Sequence, residues 1–146
     1  MKATLVDTGA WIALLSSEDQ HAAAAQARYR ELVLSGVRLV STNYIVDETA
    51  TRLRYDAGLD AALKFRDMLT AAVVQRRLRL AWIDEAVERQ AWQLLEQYRD
   101  VPLSLTDATT AAVARKSKMD EIFGFDADFG ALGFMVLPGP GRRRSR

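Results

Sequence analysis

The chain has 146 residues, 49% of them apolar, the size and composition of one domain with one sizeable core. Twenty Lys and Arg stand against 19 Asp and Glu, but four of the arginines lie in the terminal GRRRSR; residues 1–140 therefore carry 16 basic against 19 acidic groups, net −3, which argues against nucleic-acid binding by charge alone. The absence of cysteine excludes disulfides, thiolate nucleophiles and sulfur-ligated zinc, and the single His21 excludes a histidine ligand pair.

The start, MKATLVDTGAW, places an aspartate inside its first apolar run and has no long hydrophobic stretch, so neither a secretory signal nor a membrane helix is expected, and the protein is expected in the cytoplasm. Lys2 to Val6 reads as a buried strand, and a helix should begin at Asp7 or Thr8 and run to about Leu15. Ser17, followed by Glu18, Asp19 and Gln20, has the pattern of a capping box opening a helix to about Ser35, which Gly36 ends. Val37 to Ser41 is a second strand, and Ser41 or Thr42 can cap a helix reaching Ala57. Gly58 supplies a stop before a helix from Leu59 toward Arg76. Leu78 to Ile83 is a third strand, and Asp84 caps a helix to about Tyr98. After the break at Pro102, Ser104 caps a helix through Ala114. Glu121 to Phe125 and Phe134 to Leu137 complete the strands. PGPGRRRSR reads as a disordered tail, so the domain should span residues 1–138 and the tail 139–146. Strands alternating with helices require crossover connections and hence a parallel sheet covered by helices: the fold class is α/β.

Asp7, Glu48, Asp107 and Asp126 all fall where ligands gather in such a sheet, beyond the carboxyl ends of the strands or in the first turns of helices that follow. Four carboxylates in one cleft repel one another by up to about 4 kcal/mol per closest pair at an effective dielectric near 20, so full ionisation needs a cation. Oxygen-only ligation favours magnesium or manganese, one ion or two. Each acid also has a plain structural explanation. Asp7 can be a helix N-cap, and Asp107 lies three residues after Ser104, the spacing of a capping box. Asp126 and Asp128 suit a turn, and Glu48 can pair with Arg52 one helical turn on. Trp11, Trp82 and Trp92 lie in apolar patterns that point to burial in the core or at a partner interface, and His21 is expected at the surface or beside a helix cap.

Taken jointly, the strand-Asp-Thr opening at Leu5 to Thr8, the helix with Glu48, SLTDA at Ser104 to Ala108 and FDADF at Phe125 to Phe129 before FMVLP resemble the PIN-domain nucleases, and within them the VapC-type toxins of toxin–antitoxin pairs. The resemblance runs nearly to Leu137. It implies a PIN-like three-layer α/β/α fold with a central, mostly parallel sheet of about five strands, and a magnesium- or manganese-dependent endoribonuclease whose metal ligands are Asp7, Glu48, Asp107 and Asp126. It also implies a homodimer and an antitoxin partner received in a groove between the helices of residues 17–35 and 59–76. Many members carry Ser or Thr two residues before the fourth acid, where this chain has Gly124; Thr8, Thr106 or Asp128 are the auxiliary groups available in its place. Arg52, Arg54, Arg115 and Lys116 are candidates for contacting RNA, and the GRRRSR tail for adding nonspecific attraction. The competing expectations are a PIN-like scaffold that binds RNA or protein without cutting, a DNA-cleaving relative, and, from VDTGAW alone, an aspartic protease.

Overall fold

The computed structural model describes residues 2–140, and the GRRRSR segment expected as a tail lies outside them. Five strands, β1 (Ala3–Val6), β2 (Arg38–Thr42), β3 (Leu78–Ala81), β4 (Glu121–Gly124) and β5 (Met135–Pro138), form one sheet in the order β3-β2-β1-β4-β5. Every neighbouring pair is parallel. The helices are α1 (Thr8–Leu15), α2 (Ala22–Leu34), α3 (Asn43–Ala57), α4 (Leu59–Val74), α5 (Glu85–Gln97), α6 (Leu105–Lys116) and the single turn α7 (Asp128–Ala131).

Central strands of a parallel sheet lose water on both faces, which is why they read as continuous apolar runs rather than as alternation. Leu5, Val6, Ile122 and Phe123 are fully buried, and Val40 nearly so. Helix α6 is buried from Ala108 through Ala114, and its Ala and Thr side chains are small enough for it to pack closely between α5 and α3. The strand order reverses direction between β1 and β4: the chain winds outward to β2 and β3, returns across β1 and continues with β4 and β5. That reversal opens a crevice at the carboxyl ends of β1 and β4, the place where such sheets hold ligands.

The structure departs from the sequence expectation most clearly in three places. The capping box proposed at Ser17 does not form: Asp19 Oδ1 accepts from the backbone N–H of His21 at 2.8 Å, so residues 16–21 make a turn and α2 starts only at Ala22 with His21 at its N-cap. Strand β3 stops at Ala81 because Asn43 Oδ1 takes the Ile83 N–H at 2.6 Å, pulling the chain out of the ladder. Helix α7 was not foreseen, since four residues with two Gly among their neighbours carry no periodic signal. Trp11 is buried, as expected, whereas Trp82 and Trp92 are exposed at 73% and 53%. The apolar pattern around them is a strand end and one helix face that stop short of the core. Among the described residues no helix is long and apolar enough to cross a membrane.

Candidate active site

Asp7 follows β1 directly and sits at the N-cap of α1, but its carboxylate makes no capping bond there, so capping does not account for it. Its backbone is pinned instead: Asp7 N–H donates to Phe123 O at 3.0 Å, and Asp7 O accepts from the N–H groups of Ala10 and Trp11. One residue earlier, Val6 O accepts from Ser41 Oγ at 3.0 Å, and Ser41 Oγ accepts from Trp11 Nε1 at 3.2 Å. This buried relay ties β1, β2 and α1 together immediately beneath Asp7. Thr8 Oγ1, buried beside it, makes no hydrogen bond within the protein, and neither does Thr49 Oγ1 beside Glu48.

Burial pushes the Asp7 carboxyl up from 3.8 to about 7; the Thr8 backbone N–H opposes this, and the charges of Asp107, Glu48 and Asp126 raise it further. Asp107 is likewise raised, first by burial, against the hydrogen bonds from Ser104 and with help from Asp126 and Glu48. The charges of Asp107, Glu48 and Asp126 thus reach Asp7, and those of Asp126 and Glu48 reach Asp107. The four acids come from four elements: the end of β1, the second turn of α3, the first turn of α6 and the exit of β4. They do not converge fully. Among the described residues no three His, Asp or Glu side chains close into a ready ligand set for a metal ion.

The capping-box reading of Asp107 holds. Ser104 Oγ accepts from Asp107 N–H at 3.0 Å and Asp107 Oδ2 accepts from Ser104 N–H at 2.9 Å, a complete capping box. The box aims the carboxylate while its charge is still felt at Asp7. Asp126 likewise makes its turn, Oδ1 accepting from Asp128 N–H at 2.9 Å. Asp128 is raised by desolvation and by Asp126. Glu48 forms no ion pair with Arg52, whose side chain is exposed. Thr106 lends its carbonyl to the hydroxyls of Thr109 and Thr110, a helix-internal role.

Arg52 and Arg54 lie exposed on α3, Arg52 one turn beyond Glu48. Arg115 and Lys116 end α6, eight and nine residues past Asp107, and eight residues of helix amount to about 12 Å. The structure therefore does not bring them to the acids. Arg115 is already engaged, donating to Tyr98 Oη and Leu132 O at 3.0 Å each and stacking over the Tyr98 ring.

Two contacts of the crevice join segments far apart in the chain, at Gly124, which the sequence had singled out, and at His21. A methyl group on Gly124 would stand 3.3 Å from Asp7 Cβ and 3.6 Å from Asp7 Oδ2, so this glycine is the wall against which Asp7 rests. The ring of Phe125 stacks on His21 with centroids 4.1 Å apart and planes 9° from parallel.

Two sizeable cavities lie elsewhere. One of about 460 Å³ runs between α2 and α4, floored by Trp11, Leu14 and Leu39, flanked by Tyr29 and Met68, and edged by Arg30 and Arg77. It is the groove expected between those two helices. Another, of about 500 Å³, lies between α3, α4 and β3. The aspartic-protease reading requires a mostly β half-site, and the all-parallel α/β sheet rules it out.

The PIN domain family matches residues 4–135 of the chain. In sequence the chain is 33% identical over 133 residues to the 23S rRNA-specific endonuclease VapC20 of Mycobacterium tuberculosis, covering 90% of this chain and 95% of that one. It is 30% identical over 133 residues to a VapC ribonuclease of Archaeoglobus fulgidus, covering 87% and 79%. The crystal structure of VapC20, described as a sarcin-ricin loop cleaving toxin, superposes with a TM-score of 0.77 at 30% identity over 90% of this chain and 96% of that one. DNA-bound VapBC from Salmonella typhimurium shares the fold, with a TM-score of 0.67 at 16% identity over 93% and 97%. With the acids at the crevice between β1 and β4 and a match along nearly the whole domain, the chain belongs to the PIN-domain family and, within it, to the VapC ribonuclease toxins.

Proposed function

We propose that this VapC-type ribonuclease hydrolyses RNA phosphodiester bonds endonucleolytically with one or two magnesium or manganese ions held by Asp7, Glu48, Asp107 and Asp126. The observation that carries the reading is the shared electrostatics of the four acids: burial and three neighbouring carboxylates push Asp7 to about 7, a state relieved by a bound cation. The donor chemistry fits, since every candidate ligand is a hard oxygen. So does Thr8 Oγ1, a buried hydroxyl beside Asp7 with no partner of its own.

When bound, such an ion supplies Lewis acidity and a water of lowered pKa. The chain's own residues do the rest. Asp107 and Asp126 are each aimed through one carboxylate oxygen by a backbone N–H, from Ser104 and Asp128. The Asp7 carboxylate makes no helix-capping bond, and with its pKa raised to about 7 it would hold a cation once its proton is released. Thr8, Thr106 and Asp128 are the auxiliary groups in reach of the acids by sequence. Arg52 and Arg54, exposed on the helix of Glu48, hold phosphates of the incoming strand at the acidic crevice. Arg115 and Lys116 serve at most a distant stretch of RNA.

As partners we infer a second copy of the chain and a cognate antitoxin. The groove between α2 and α4, apolar with Arg30 and Arg77 at its rim, supports an antitoxin segment with apolar anchors and acidic flanks. The RNA to test first is ribosomal, because VapC20 is described as specific for 23S rRNA. The test is incubation of end-labelled ribosomal hairpins, with matched DNA, in manganese, magnesium or EDTA. Discrete RNA cuts that need metal and vanish in Asp7→Asn are expected. Equal cutting of DNA would reassign the substrate. RNA binding without any cutting would support the scaffold reading that Gly124 raises.

A further inference from the structure

His21 and Phe125 are 104 positions apart in the chain, yet their rings lie face to face, with centroids 4.1 Å apart and planes inclined by 9°. Phe125 immediately precedes Asp126, and its ring also lies 4.0 Å from where a Cβ on Gly9 would stand, two residues after Asp7. The ring thus sits between the first turn of α1 and the turn of residues 16–21. His21 is itself fixed, its backbone N–H held by Asp19 Oδ1 at 2.8 Å and its residue capping α2. At 4.0 Å from that Cβ position the Phe125 ring lies against the first turn of α1 in ordinary van der Waals contact.

We propose that His21 is a positioning residue: its stack on Phe125 clamps the exit of β4 against α1 and so sets Asp126 relative to Asp7. The inference rests on the proposed metal-dependent cleavage, in which these two carboxylates share a cation. What counts in the contact is the flat ring, because a face-to-face arrangement at this distance is a packing contact. Its loss lets the Phe125–Asp126 segment swing and loosens the Asx turn in which Asp126 Oδ1 holds the Asp128 N–H. An aromatic pair of this kind is worth about a 2- to 10-fold change in an equilibrium.

The experiment compares the wild-type chain with His21→Ala and His21→Phe in three measurements: exchange of the Asp128 amide by NMR, Mn2+ affinity by calorimetry without RNA, and kcat and KM for cleavage of a ribosomal hairpin. In His21→Ala the Asp128 amide should exchange faster, Mn2+ should bind about 2- to 10-fold more weakly, and kcat should fall while KM holds. His21→Phe should restore all three. If His21→Ala leaves the Asp128 amide and Mn2+ affinity unchanged, or if His21→Phe fails as His21→Ala does, the positioning role is overturned. A wild-type chain that neither binds Mn2+ nor cuts RNA would overturn the proposed function instead. The Asp128 amide would still report whether the stack orders the segment.

Discussion

Replacing Asp7 by Asn should stabilise the metal-free protein, and by an amount that grows with pH. Asp7 is 7% exposed, and its carboxyl is pushed up to about 7 in the fold against 3.8 for the free side chain. A raised acid means that the folded state holds a proton the unfolded state has released, so between pH 3.8 and about 7 each step upward in pH costs stability. Integrated over that window, ionising Asp7 costs about 1 kcal/mol at pH 4.5 and about 4 kcal/mol at pH 8. Asn keeps the shape and cannot ionise. The difference in unfolding free energy between Asp7→Asn and wild type should therefore widen by about 3 kcal/mol from pH 4.5 to 8, and at pH 8 the variant should melt about 10 °C higher. The assay is urea and thermal unfolding of both chains in chelator across this range; effects of the other acids largely cancel in the difference. Manganese should then stabilise wild type, by about 2.7 kcal/mol at one hundred times its dissociation constant, and leave the variant unmoved. A pH-independent offset, or a variant less stable than wild type at pH 8, would refute the argument that Asp7 is a strained, buried carboxylate awaiting a cation.

Further outcomes follow from single contacts. Ser104→Ala removes the acceptor for Asp107 N–H and should cost about 1 kcal/mol in urea unfolding. Asp107→Asn keeps an oxygen for the Ser104 N–H, so it should fold nearly as well as wild type yet lose metal-dependent cleavage; equal activity would separate the box from the chemistry. Gly124→Ser places its Cβ 3.3 Å from that of Asp7, and this crowding should destabilise the fold by about 1–2 kcal/mol and lower cleavage. A gain in cleavage would mean that the hydroxyl outweighs the clash. Arg28 pairs with Glu121, which is 5% exposed at the start of β4, and Arg28→Ala should cost about 3 kcal/mol by stranding that charge. Restoration of the wild-type midpoint by Glu121→Gln in the same chain would confirm the cause, and a midpoint unchanged by Arg28→Ala would show that water already reaches Glu121.

Local chemistry made much of this protein legible in its sequence. The strands were found because both faces of a parallel strand are buried, so Leu5–Val6 in β1 and Ile122–Phe123 in β4 stand as unbroken apolar pairs. Thr42, Asp84 and Ser104 cap their helices as their side chains and spacing required, with bonds of 2.9 to 3.0 Å to the backbone. The order of acids along the chain, each next to a strand end or helix start, was enough to mark the crevice, because the carboxyl edge of a parallel sheet is decided by topology that alternating elements impose.

Other properties belong to the folded chain alone. The turn at residues 16–21 arises from a choice between two local hydrogen bonds that sequence cannot rank, and Asp19 wins it by reaching the His21 N–H. The exposure of Trp82 and Trp92 depends on how far β3 and α5 extend past the core, a matter of three-dimensional reach rather than of residue type. That Asp7 leaves its helix uncapped, that Gly124 walls it in and that His21 lies on Phe125 are contacts between segments far apart in the chain. Sequence names the carboxylates and the elements they ride on. How strongly those carboxylates are desolvated and coupled depends on distances and burial, and these exist only once the five strands have closed the crevice around them.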